Sequence, residues 1–238
     1  MRRLGPLYGG AVALVHSTPW RWPSTITDEH RSPAWIVALG APIGVVAWVV
    51  AALVHGAGIP AQIAAVVGVA MLTVASAAIV ERGLAARIEQ WQGHGRAGAG
   101  VPTVVALVFV TLVRAASLAF VAPSHWLVVL IAAAMVGRWA AVFLQSLGDP
   151  IAPDDDTGRS LVATPAPAWL IGALSVAAAA VCILALGKAG IVAIALTAAI
   201  TFGLGIDAQR RDHGLAAPVV ATAAAIGELA VLLIATLG

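Results

Sequence analysis

The stretch His125 to Gln145, HWLVVLIAAAMVGRWAAVFLQ, decides the fold. It runs 21 residues with one formal charge, Arg138. Coiled as a helix at 1.5 Å per residue it measures about 30 Å, the thickness of a bilayer's hydrocarbon core. Six further stretches read the same way: Ala34 to Val54, Pro60 to Val80, Val101 to Val121, Pro167 to Leu186, Ala189 to Gly205 and Leu215 to Leu237. The sixth in chain order, Ala189 to Gly205, is the shortest. The expected fold is an all-α polytopic transmembrane helix bundle of about seven spans (six to seven), forming a single integral membrane domain over residues 1–238.

Composition agrees. The chain is 61% hydrophobic and only 10% charged, with a mean hydropathy of +0.99. Soluble domains carry about 25% charged residues, so this chain lacks the polar surface that water would require. A pI near 9.3 comes with a net charge of only +2, and the basic residues are dispersed, which argues against a nucleic-acid partner. The lone cysteine, Cys182, sits in an apolar run and reads as a small buried residue.

The charges between the spans are one-sided. GAGIPA, APSH and GKAG carry one lysine, Lys188, among them. Nearly all other charges fall in residues 1–33 and in the loops 81–100, 146–166 and 206–214. The positive-inside rule therefore places the N-terminus and these three loops in the cytoplasm and the C-terminus outside, in a multi-pass protein of the cell (inner) membrane. Residues 1–33 read as a cytoplasmic or interfacial segment. Trp35, Trp126 and Trp169 lie near span ends, where an aromatic belt is expected. Small residues dominate the spans, but an alanine-rich composition gives packing motifs little weight.

Three ionisable residues lie inside spans: Arg114, Arg138 and Glu228. Each costs at least about 2.5 kcal/mol there without a partner or a water-filled cavity. Arg114 and Glu228 stand 13 positions beyond the starts of their spans, about 20 Å deep, so equal depth allows a structural intramembrane pair. Arg138 stands seven positions from the end of its span, about 10 Å deep. It could reach an anionic ligand or join a structural pair.

Three loop motifs could carry chemistry. In ERGLAARIEQ, a helix would align Glu81, Ala85 and Glu89, with Arg82 and Arg87 beside them. Two carboxylates on one face could hold Mg²⁺ against a phosphate, although a solvated helix end shows the same pattern. In DPIAPDDDTGRS, the consecutive Asp154, Asp155 and Asp156 could meet a cation or form a solvated turn. In DAQRRDHG the arginines are sufficiently explained by topology. GxxxxGK[ST], CxxC, HExxH and GxSxG are all missing from the sequence.

The order of these pieces resembles the cobalamin synthase family, adenosylcobinamide-GDP ribazoletransferase. AVALVHSTPWRWP stands where that family has its Pro-rich N-terminal segment. AIVERGLAARIEQ stands at its signature G-L-H-L-D-G-L-A-D-T-A-D-G, with Gly83, Leu84 and Ala85 matching G-L-A. VGRW (Val136 to Trp139) and the loop Asp149 to Gly158 follow in order. GLAAPVVATAAAIGE, with Gly214, Leu215 and Glu228, matches the family's C-terminal motif in length. The family's acidic positions fall here on Arg82, Ala86 and Glu89, and in the last motif on Pro218 and Ala225. The R-x-x-I-M-x-D segment after the signature has no counterpart, since QGHGRAGAG is too short for it.

The resemblance implies a Mg²⁺-dependent phosphotransferase. The hydroxyl of α-ribazole or its phosphate would attack the diphosphate of adenosylcobinamide-GDP and release GMP. Glu81 and Glu89 would be the catalytic and metal-binding acids. Arg138, with Arg82, Asp154, Asp155 and Asp156, would bind substrate. Partners would be the lipid bilayer, cobamide intermediates and a second copy or another membrane protein. An alternative keeps the fold without catalysis, as a membrane scaffold or partner subunit. A small-solute transporter using Arg114 and Glu228 is a third class, less suited to spans without matched breaks.

Overall fold

The computed structural model describes residues 6–20, 31–92, 100–148 and 160–237. The described chain is helical, without a β-strand: α1 (Pro6–Ser17), α2 (Pro33–Ala38), α3 (Gly40–Gly56), α4 (Ala61–Ala75), α5 (Ile79–Trp91), α6 (Val101–Phe120), α7 (Trp126–Gln145), α8 (Ala168–Leu186), α9 (Ala189–Arg211) and α10 (Ala217–Ile234). Among the described residues, six helical stretches are long and apolar enough to cross a membrane, or up to seven if α4 and α5 together make one span. The all-α polytopic bundle is therefore observed. α2 and α3 run on as one span, Pro33–Gly56.

α7 and α10 form the centre and pack on each other; α3 and α8 flank α7, while α5 and α9 flank α10. Most of α8 faces outward, with Trp169, Val176 and Leu184 exposed, as lipid-facing side chains are. Two glycines let α3 approach α7 closely. Gly40 and Gly44, four residues apart, lie against the α7 backbone, where a Cβ would come within 2.6 Å of Met135 Cα and Ile131 Cα respectively. This is the small-xxx-small geometry of membrane helices, at a place where composition suggested no particular contact.

The second span differs from its expected form. It does not run straight from Pro60 to Val80. α4 stops at Ala75 and α5 leaves at 81° to it. The turn is a Schellman motif: Ala77 N–H donates to Val74 O and Ala78 N–H to Thr73 O, both at 2.9 Å. Glycine usually takes the left-handed position of such a turn, yet here two alanines, Ala77 and Ala78, have φ of 53° and 52°. Left-handed backbone costs an alanine about 1–2 kcal/mol, and glycine avoids that at a smaller entropic cost. Ala77→Gly or Ala78→Gly should thus raise stability by about 0.5–1 kcal/mol, read as a higher midpoint of thermal unfolding in detergent; a lower midpoint would show the turn to be unstrained.

Smaller corrections follow from packing. α9 continues past Gly205 to Arg211, so most of the expected 206–214 loop is helix, and residues 81–91 of the 81–100 loop form most of α5. Trp126 is not an outward belt residue. It is buried, and its indole N–H donates to Leu118 O and Val121 O at 3.1 and 3.0 Å. Trp35 lies against Gly9 and Gly10 of α1, while Trp169 is exposed. Cys182 is fully buried.

Candidate functional site

The α4–α5 elbow delivers Ser76 and Glu81 into the bundle, where they meet two arginines from other helices. Arg114, on α6, donates through Nη1 to Glu81 Oε1 at 2.9 Å and lies 3.1 Å from Glu228 Oε2 through Nη2. Arg138, on α7, lies 3.8 Å from Glu228 Oε1 and donates to Ser76 Oγ at 3.0 Å and Ala134 O at 3.1 Å. Thr73 Oγ1 reaches across the elbow to Glu81 Oε1 at 2.8 Å. Two carboxylates and two guanidinium groups thus neutralise one another within the apolar bundle. Arg114, Arg138 and Glu228 are each at most 2% exposed. Isolated charges would be intolerable at that burial; paired ones are held by mutual attraction in low dielectric.

Close helix packing makes the pairing possible. A Cβ on Gly137 would come within 2.6 Å of Glu228 Cγ, and one on Gly227 within 2.9 Å of Gly137 Cα. Glycines on both helices therefore let α10 carry Glu228 onto α7. Glu228 answers two cations at once. Glu81 Oε2 remains buried without a hydrogen-bond partner among the described residues, as do the Nε groups of Arg114 and Arg138.

A second cluster ties the far end of α5 to α9. Arg87 is fully buried; its Nη2 donates to Asp207 Oδ2 at 2.9 Å and its Nη1 to Asp212 Oδ2. Its guanidinium carbon also lies 5.3 Å from the centre of the Trp91 ring. Asp207 in turn accepts from Arg211 Nε at 2.6 Å. DAQRRDHG is thus more than a set of topology determinants. The i, i+4 spacing of Asp207 and Arg211 was visible; the partnership with Arg87 was not, because it joins residues 120 positions apart.

The expected site residues are only partly brought together. Glu81, Arg114, Arg138 and Glu228 converge. Glu89 does not join them: it accepts from Gly100 N–H at 3.2 Å, at the N-terminal end of α6, where its charge also suits the helix dipole. Arg82 lines a small cavity of about 70 Å³ with Gly83, Ala86, Leu161, Pro218 and Ala221. Asp154, Asp155 and Asp156 lie outside the described residues.

A magnesium ion held by Glu81 and Glu89 does not fit this arrangement. The two acids stand eight residues apart on α5, about 12 Å along its axis, whereas Mg²⁺ requires its oxygens at about 2.0–2.1 Å. Glu81 is already engaged by Arg114 and Thr73. Between the two acids, the positions that would complete an acidic set hold a cation, Arg82, and a methyl group, Ala86. No group of three or more His, Cys, Asp or Glu gathers for a metal among the described residues.

Comparison with known proteins adds one finding to this geometry. No curated protein and no solved structure matches the chain. A family model described as Cobalamin-5-phosphate synthase matches residues 11–236. That match runs from α1 to the end of α10, through the elbow and all four members of the buried ion-pair centre. With nearly its whole length so matched, and folded as a multi-span helical bundle, this chain belongs to the cobalamin-5-phosphate synthase family.

Proposed function

We propose that the chain serves cobamide assembly as a membrane partner of the joining step, in which adenosylcobinamide-GDP and α-ribazole or its phosphate combine with release of GMP. In this reading it keeps the family's membrane fold, and a second membrane protein supplies the metal-binding acids. The observation that carries it is the state of its own acids. Glu81 and Glu228 are committed to Arg114 and Arg138, and Glu89 sits two turns further along α5, bonded to Gly100 at the start of α6.

Two experiments test this. Expressed alone in a cobalamin-synthase deletion strain supplied with cobinamide and lower-ligand base, the chain should reach the membrane and give no growth. In its own host, deleting the gene should lower the cobamide pool, and the Glu89→Gln chain should restore it as well as the parent does. Growth in the first strain, or failure of Glu89→Gln in the second, would overturn the partner role.

A second reading, transfer by this chain itself, is favoured by one observation: Glu81 Oε2 is a buried acceptor without a hydrogen-bond partner among the described residues. It could take the proton of the attacking hydroxyl while Arg138 clamps phosphate. Growth of the complemented strain, lost on Glu81→Gln, would select this reading.

A further inference from the structure

A groove of about 650 Å³ opens between α5, α9 and α10 at the end of the bundle where α9 terminates. Ile200, Leu204 and Ile226 wall it, Gly203 leaves it open, and Trp91 and Arg211 stand at its mouth. Ile200 lies 11 residues before Arg211, so the apolar wall extends about 16 Å along α9 from the cation. Such a groove fits a hydrocarbon chain in length and in chemistry.

The mouth offers an anion one open edge. Asp207, the acid lining the groove, accepts from Arg87 at 2.9 Å and from Arg211 Nε at 2.6 Å, and Arg87 also donates to Asp212, so these two arginines and two acids balance. Arg211 is bound through Nε only, so its two Nη groups are unengaged among the described residues; its side chain is 65% exposed. Asp207 thus fixes the guanidinium plane and leaves the forked edge free, the geometry that suits phosphate. Arg210 beside it is also exposed but does not line the groove. Trp91, half exposed across the mouth, is of the residue type that settles at headgroup depth.

We infer that this groove holds an anionic phospholipid, with one acyl chain against Ile200, Leu204 and Ile226 and the headgroup phosphate on the Nη edge of Arg211. The open Nη edge of Arg211, a cation with donors and no acceptor, selects a headgroup without its own cation over a zwitterionic one, and the groove selects a chain over a free anion.

Native mass spectrometry of the full chain in detergent, titrated with phosphatidylglycerol or phosphatidylcholine, tests it. The parent should retain phosphatidylglycerol in preference. Arg211→Gln should weaken that retention about tenfold, the loss expected for one charge-assisted contact. Arg210→Gln, outside the groove lining, should change it little. Gly203→Leu should reduce retention of both lipids. A Cβ at Gly203 meets nothing within 4 Å, so the added side chain fills the groove without disturbing the fold. Cys182, fully buried, should stay unreactive to a thiol reagent in every variant, which separates lost binding from lost structure. Equal losses from Arg210→Gln and Arg211→Gln would reduce the effect to diffuse surface charge and overturn the site. Unchanged lipid retention in Gly203→Leu would overturn it as well.

Discussion

Glu228→Gln should destabilise the folded protein by about 3–5 kcal/mol, the cost of leaving a buried charge without its partner. Glu228 is the acid shared by Arg114 and Arg138, and it is 2% exposed. Without its charge, the hydrogen-bond partners left to Arg138 among the described residues are neutral, Ser76 Oγ and Ala134 O. Arg114 keeps Glu81. The sum of the four charges therefore shifts from zero to plus one inside the bundle. Thermal unfolding in detergent should register a large fall in midpoint. The double variant Glu228→Gln with Arg138→Met restores neutrality and should recover much of the loss. If the double variant is no more stable than the single one, the destabilisation comes from packing around α7 and α10, and charge balance is not its cause.

Gly44→Leu should prevent the bundle from closing, at a cost of about 3 kcal/mol or more. The contact it disturbs is backbone against side chain: the new Cβ would stand 2.6 Å from Ile131 Cα and 2.7 Å from Leu130 O. No rotamer relieves such a contact, so α3 must leave α7. Gly172→Leu on α8 is the matching control, because a Cβ there meets nothing within 4 Å. Size-exclusion profiles of the two variants should differ sharply, with a monodisperse peak retained only by Gly172→Leu. Equal profiles would mean that α3 and α7 can separate without loss of the fold.

The spans were legible because membrane insertion depends on length and apolarity, and runs such as Val101 to Val121 satisfy both conditions plainly. Equal depth alone put Arg114 within reach of Glu228, and in the fold they are 3.1 Å apart. The other half of the centre was hidden by the elbow. No glycine or proline marks Ser76 to Ala78, so the pattern read straight through to Val80. A straight helix would have carried Glu81 out of the bundle, as the end of a span. The bend instead turns it onto Arg114. Arg87 escaped notice for another reason: a buried arginine surrounded by loop residues looks like a topology determinant until Asp207 and Asp212 are seen to hold it. The GxxxG pair Gly40 and Gly44 was in plain view but carried no weight in a chain so rich in small residues.

By stopping at 15 residues, α4 presents only about 22 Å of apolar helix to a membrane whose oily interior measures about 30 Å. Lipids beside it must thin, or the helix must be accommodated by its neighbours, at a cost of fractions of a kcal/mol for each ångström of mismatch. On this mismatch, bilayers of shorter chains should fit the end of α4 better than bilayers of longer chains, and a change in thickness would be felt first at the elbow, ahead of the end of α5 that is anchored to α9.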